Sequence, residues 1–266
     1  MGTTWYFKFF EPCPAEIEIY IRTTIRDFEQ DYSRFLETSL LSQLNRNKRL
    51  LNPPPELLTL LEIAQEYYDL SEGYFNIATE THQRAQGYDA AYSFREHPEL
   101  HPKTLDLAMA LQFDPHQITL HPEATLDLGG LGKGFLIDRF AWEFQQRFNL
   151  RYFVINGGGD IYATSNHGQP LQLHLRAPAT QQSLGRVSVK NTALCASSPV
   201  LRSWGTRNHL VNPFAPEKTT TKSAFVLAPT ATEADIWATV ATLVSEAEFE
   251  RFTKNRPVDY QMIEAQ

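Results

Sequence analysis

The chain has 266 residues, 42% of them hydrophobic and 21% charged, which is enough for one large domain or two intimately packed halves and excludes disorder as the default state. Its net charge is -7 with a pI near 5.6, and its Lys and Arg residues are scattered along the chain. That distribution excludes nucleic acid as the main partner, because binding a phosphate backbone requires a concentrated basic face.

The amino-terminal stretch MGTTWYFKFFEPCP is apolar only briefly, is interrupted by Lys8, and carries neither a basic leader nor a cleavage site. Tyr6 stands where a myristoylation signal would want Ser or Thr. No stretch approaches the roughly 20 apolar residues needed to cross a bilayer. The expectation is a cytoplasmic protein with no membrane anchor. Cys13 and Cys195 are far apart and lack CxxC or His-rich surroundings, so neither a zinc site nor a disulfide framework is indicated.

Trp5 to Phe10 and Glu16 to Ile21 read as two strands separated by Pro12 and Pro14. From Thr23 to Asn45 the apolar residues Ile25, Phe28, Tyr32, Phe35, Leu36, Leu40, Leu41 and Leu44 recur mostly at steps of three and four, which predicts a helix. Pro53, Pro54 and Pro55 interrupt, and Glu56 to Glu72 predicts a second helix ending at Gly73. Later residues alternate short apolar runs with Gly-containing turns, then enter a helical segment from Glu233 to Ser245 and a polar tail. The chain shows no internal repeat or linker, which favours one α+β unit over separable domains.

Four stretches carry candidate chemistry. In TLDLGGLGKGFLID, a strand-like run ending at Leu128 meets Gly129, Gly130, Gly132 and Gly134 before a helical pattern. Such a turn gathers backbone N–H groups at a helix N-terminus, where they suit a phosphate or pyrophosphate, and Lys133 can add positive charge. A tight turn serving backbone geometry alone explains the glycines equally well. Neither the GxxxxGK[ST] nor the GxGxxG frame fits. In FVINGGGDIYA, Gly157, Gly158 and Gly159 precede Asp160, and a hairpin turn is the simpler reading. In EADIWATVATLV, Asp235 and Thr239 lie one helical turn apart and can reach one hard cation, although an acidic residue near a helix N-terminus is common without any metal. In RNHLVNPF, His209 has a side chain suited to acid–base work, while lone histidines are usually structural or merely exposed.

In order and spacing these stretches resemble the FAD:protein FMN transferase (ApbE) family along nearly the whole chain. MGTTW looks like the start of that family's mature domain, and YSRFLETSLLSQLN is similar to its helix with a Ser-x-x-x-x-x-Asn pattern, here Ser39 to Asn45. EGYFN resembles its G-x-F-D element, LDLGGLGKGFLID its Gly-rich loop and INGGGDI its G-G-D turn. HLVNP resembles its H-x-x-D-P segment and EADIWATVATL its A-D-x-x-x-T helix.

The resemblance implies one ApbE-like domain over residues 1–266, built of two packed α/β halves with an FAD cleft between them. It implies magnesium-dependent transfer of FMN from FAD to a Thr or Ser of an acceptor flavoprotein, with release of AMP. Asp235 and Thr239 would supply side-chain oxygens to Mg2+, and Gly130 a backbone carbonyl. Met1, Phe35, Tyr74, Phe75, Asn76, Asp127, Lys133 and Val211 would line the FAD site. His209 would activate the acceptor hydroxyl, with Asp235 beside it in the catalytic set. FAD hydrolysis to FMN and AMP, or FAD binding without turnover, are the alternatives. The chain departs from the pattern in having Phe35 for Tyr, Asn76 and Asn212 for Asp, Ala196 to Pro199 for the usual Thr-Ser-Gly, and Phe214 to Lys218 for a T-G. The expectation is a member of the short type, without the lipoprotein leader of many exported members.

Overall fold

The computed structural model describes residues 3–264. In chain order its elements begin with β1 (Trp5–Phe9), α1 (Ile17–Tyr32), α2 (Leu40–Asn47), β2 (Arg49–Leu51), α3 (Pro55–Leu70), α4 (Glu80–Ala85), α5 (Leu107–Ala110), β3 (Leu111–Phe113) and β4 (Gln117–Leu120). Next come α6 (Gly132–Gln146), β5 (Phe153–Gly157), β6 (Asp160–Ala163), β7 (Leu171–Arg176), β8 (Ser183–Val189), β9 (Thr192–Ser197), β10 (Ser203–Trp204) and β11 (Arg207–Asn208). The chain then forms β12 (Lys222–Ala228), α7 (Ala231–Ala241), α8 (Glu246–Thr253) and β13 (Asp259–Glu264). This is an α+β composition. Among the described residues no helix is long and apolar enough to cross a membrane.

The chain divides into two compact units. The first takes the described residues before Phe28, Leu131–Leu201 and those after Thr220. Its centre is a six-stranded antiparallel sheet in the order β1-β5-β6-β9-β12-β13. Phe7, Phe140, Phe144 and Phe153 pack edge to face or stacked where α6 meets β1 and β5. Rings of this size bury about 150–250 Å² each, so they dominate the core's apolar burial. The hairpin β7–β8 adds a smaller cluster in which Leu171, Leu173 and Val187 pack against Ala163, Val189, Leu194 and Phe225.

The second unit takes Phe28–Gly130 and Arg202–Thr220. It holds α2 to α5, the three-stranded sheet β2-β4-β3 and the hairpin β10–β11. Leu41, Leu44, Leu57, Leu60, Leu61, Leu107 and Ile118 are fully buried in it.

Four sequence expectations change. Glu16 to Ile21 is not a strand: Ile17 to Ile21 form the first turns of α1, despite the alternating Glu and Ile pattern. The buried positions are Ile17, Ile21, Thr24, Phe28 and Tyr32, a helical spacing, and Ile19 is left 70% exposed. The helix expected over Thr23 to Asn45 is two. The chain leaves α1 at Tyr32 and re-enters at α2, where the Ser39 side chain caps the new helix by accepting from the Ser42 N–H. The run ending at Leu128 is not a strand. Its backbone is paired by a side chain, the Asn45 amide accepting from Leu126 N at 2.7 Å and donating to Leu126 O at 2.9 Å. The polar tail contains α8, with a Ser245 to Glu248 capping box, and the edge strand β13.

Candidate active site

Within the first unit, three elements bring charged side chains to one place. The turn between β5 and β6 uses Gly158 and Gly159 at positive φ (77° and 107°), as the hairpin reading of that stretch expects, and delivers Asp160 at the start of β6. Helix α6 opens at Gly132 and carries Lys133 in its first turn. Helix α7 carries Asp235, with Thr239 half-buried one turn further on. The Lys133 ammonium lies 2.6 Å from Asp160 Oδ2 and 3.1 Å from each Asp235 oxygen. Asp160 and Asp235 are buried, at 2% and 5% exposure, whereas the Lys133 side chain keeps 25% of its surface. Asp160 Oδ1 also accepts from Ala196 N on β9.

The electrostatics follow from burying two carboxylates against one ammonium. Burial, opposed by Lys133 and reinforced by Asp160, pushes the Asp235 carboxyl from an ordinary 3.8 up to about 7. Burial disfavours the Lys133 charge, but Asp160 and Asp235 outweigh it and hold the ammonium above the ordinary lysine value. Burial, reinforced by the same carboxylates, raises the neighbouring Cys195 thiol well above its usual range, which leaves it unreactive.

The Gly-rich segment is a helix N-terminus, and the anion found there is the protein's own. Gly134 N donates to Asp235 Oδ2 at 3.1 Å. Asp138, one turn later, repeats the arrangement in the other direction by accepting from Ala231 N and Thr232 N at 2.8 Å each, which ties the start of α7 to α6. The position of Asp235 is thereby set from both helices. At Gly134 a side chain would collide with the Ala231 carbonyl and stand 2.8 Å from Thr232 Cα. Alanine favours a helix over glycine by about 1 kcal/mol, but overpacking against rigid backbone costs about 1–3 kcal/mol. Gly134→Ala is therefore expected to lower the urea midpoint, and an unchanged or raised midpoint would show that α7 yields at no cost.

The second unit holds most of the other predicted residues. Asp127 accepts from Gly129 N at 2.9 Å and donates its own N–H to Ile77 O at 2.8 Å. Asn76 Oδ1 accepts from Ala78 N at 2.8 Å, and its amide donates to Leu105 O at 3.1 Å. An aspartate could not make that second bond, so the departure from the family pattern has a local use. Phe75 and Val211 are buried at 3% and 7% exposure, while Tyr74 packs edge to face on the exposed ring of Phe214. Phe35 stacks parallel on Tyr92 at 4.8 Å. His209 follows β11, where Asn208 locks the loop by donating to Thr220 O and accepting from Leu210 N. Its ring meets Tyr88 edge on at 6.1 Å. Gly130 directly precedes the Leu131 N-cap of α6, and Met1 lies outside the described residues.

The structure thus groups Lys133 and Asp235 and adds Asp160, which the sequence places only in a turn. The Gly-Gly-Asp order is the available signal, but a residue after a hairpin glycine has no readable partner until the sheet aligns it. Asp138, Asn208 and Arg34, a buried cation beside Asp127, lie within the quoted stretches, but nothing in the one-dimensional pattern marks these residues apart from their neighbours.

The fold defined by these units is of the α+β class, and solved structures share it. The flavin transferase ApbE from Vibrio cholerae matches with a TM-score of 0.82 at 19% identity, over 99% of this chain and 91% of that one. The ApbE protein from Thermotoga maritima matches with a TM-score of 0.85 at 17% identity, over 100% and 94%. In sequence, a FAD:protein FMN transferase of Haemophilus influenzae is 24% identical over 267 residues, spanning 88% of this chain and 76% of the relative. The ApbE family model matches residues 1–263, and the chain belongs to the ApbE family.

Proposed function

We propose that this protein is an FAD:protein FMN transferase, moving FMN from FAD to a Thr or Ser hydroxyl of an acceptor flavoprotein with magnesium and releasing AMP. Membership of the ApbE family supports the reaction class. The observation that carries the metal assignment is the Lys133, Asp160 and Asp235 cluster, where two buried carboxyl groups face one ammonium, so that loss of the Asp235 proton leaves an excess negative charge. Hard carboxylate oxygens suit Mg2+, and Asp235, giving up its proton, would hold it with the hydroxyl of Thr239 one turn away and the carbonyl of Gly130. When bound, the cation would supply charge neutralisation on the pyrophosphate. Lys133 adds a fixed positive charge at the same place.

In the reaction the acceptor oxygen bonds to the flavin-side phosphorus. The bond between that phosphorus and the bridging oxygen breaks, and AMP leaves with the bridging oxygen. The hydroxyl proton is taken up by His209, and Phe35, Tyr74, Phe75, Asn76, Asp127, Lys133 and Val211 bind FAD. Much of the rate in such transfers comes from positioning.

Incubation with FAD and Mg2+, with and without a flavoprotein bearing a Thr or Ser acceptor, tests the reading. AMP formed only with the acceptor is expected, whereas AMP formed equally without it would replace transfer by hydrolysis. FAD, but not NAD, is also expected to raise the melting temperature, because neither a GxGxxG fingerprint nor a P-loop is present. Equal protection by the two dinucleotides would count against the assignment.

A further inference from the structure

Arg34 is buried in the second unit, its side chain only 3% exposed, between α1 and α2. A guanidinium is seldom buried without counter-charges and flat surfaces beside it, and Arg34 has both. Nε lies 3.1 Å from Asp127 Oδ2, and Nη1 lies 3.6 Å from Glu80 Oε1. Nη2 donates to Tyr88 O at 3.0 Å. The planar group also lies over two rings, 4.2 Å from the Phe35 centroid and 4.8 Å from that of Tyr88.

Two of these partners belong to the proposed FAD-binding set. The other oxygen of Asp127 holds Gly129 N, and so shapes the turn that presents the Gly130 carbonyl. Glu80 is fixed separately by accepting from Thr125 Oγ1 at 2.7 Å.

We propose that Arg34 is a positioning residue for the FAD site: its guanidinium sets the Asp127 carboxylate, and through it the Gly129–Gly130 turn, while holding the Phe35 ring in place. The inference rests on the transferase reading. Lysine cannot replace arginine here, because an ammonium is a point charge without a planar face to stack and has no fork to span two carboxylates. Glu80 provides the control, since it pairs with Arg34 but is held by Thr125 and is not in the proposed FAD-binding set. Losing Glu80 leaves the Arg34 to Asp127 pair in place.

The test compares Arg34→Lys, Arg34→Met, Asp127→Asn, Glu80→Gln and the Arg34→Met, Asp127→Asn double variant by FAD titration, KM for FAD, kcat and melting temperature. Arg34→Lys and Arg34→Met are expected to raise KM for FAD by about 10-fold or more, the scale of one lost charged contact, with a smaller change in kcat. Glu80→Gln is expected to lower the melting temperature while leaving FAD affinity within about 2-fold. The double variant should bind FAD no worse than its weaker parent, because the two residues act as one unit.

FAD affinity unchanged in folded Arg34→Lys, or lost equally in Glu80→Gln, overturns the proposal and leaves Arg34 a purely structural ion. Arg34→Lys carries the decision if Arg34→Met does not fold. A wild-type protein that binds no FAD overturns the transferase reading and this inference with it, whereas normal FAD binding by Arg34→Lys overturns the inference alone.

Discussion

Asp235→Asn is expected to reduce magnesium-dependent AMP release by roughly 10²- to 10³-fold, the range seen when one electrostatic contributor to a transition state is removed. The substitution preserves volume, and the Asn side-chain oxygen can still accept from Gly134 N, so the start of α6 keeps its partner. Lys133 keeps its 2.6 Å contact with Asp160. The fold should therefore survive, and unchanged circular dichroism is part of the expected result. Near-normal turnover by the folded variant at low magnesium would remove Asp235 from the site.

A pH dependence follows with a definite sign. The Asp235 carboxyl is raised from 3.8 to about 7 by burial and by Asp160, against the opposing pull of Lys133. Between those values the folded state without metal holds a proton that the unfolded chain has lost. The stability contributed by this group is full below about pH 4 and is lost as the pH rises through about 7. A cation must displace the same proton, so magnesium affinity should weaken as the pH falls below about 7. Magnesium titrations at about one pH unit on either side of that value check this, and equal affinities would show that Asp235 is already ionised. Asp235→Asn should abolish the difference.

His209→Asn carries the second large effect. If the imidazole takes the acceptor proton, transfer at saturating FAD slows by roughly 10²-fold or more while FAD affinity stays within a few fold. The surroundings of His209 favour a fixed ring, with Asn208 bracing the loop, Gln83 donating to the His209 carbonyl at 3.1 Å and Tyr88 against the ring edge. Rapid-mixing measurement of AMP release separates binding from transfer. Weakened FAD binding with an unchanged rate at saturation would instead assign His209 to binding and leave the base unidentified.

Several elements are legible in the order of residues. The helix over Glu56 to Glu72 appears as α3 because its apolar spacing is strong and Pro55 and Gly73 bound it. Gly132 to Gln146 is helical for a similar reason, its apolar residues recurring at helical steps once the glycines end. The EIEIYI stretch suggests a strand because Glu18 and Ile19 mimic strand alternation, and only packing reveals that Ile17 and Ile21 face the interior together. The TLDL stretch suggests one too, because extended backbone looks the same whether its partner is a strand or, as here, the Asn45 amide.

Local periodicity and short ordered patterns survive in one dimension, and so the α+β class, the family resemblance and the places of Asp235, Lys133 and His209 in their motifs are readable without coordinates. What those residues meet emerges only on packing. Lys133 is far from both Asp160 and Asp235 in the chain, 102 residues from the latter, and their contact depends on how β6, α6 and α7 pack. Ion pairing acts over a few ångströms in space and has no sequence period. The same holds for Arg34, which looks like an ordinary charge between two helices until burial leaves it facing Asp127 and Glu80, where removing either partner costs far more than it would in water.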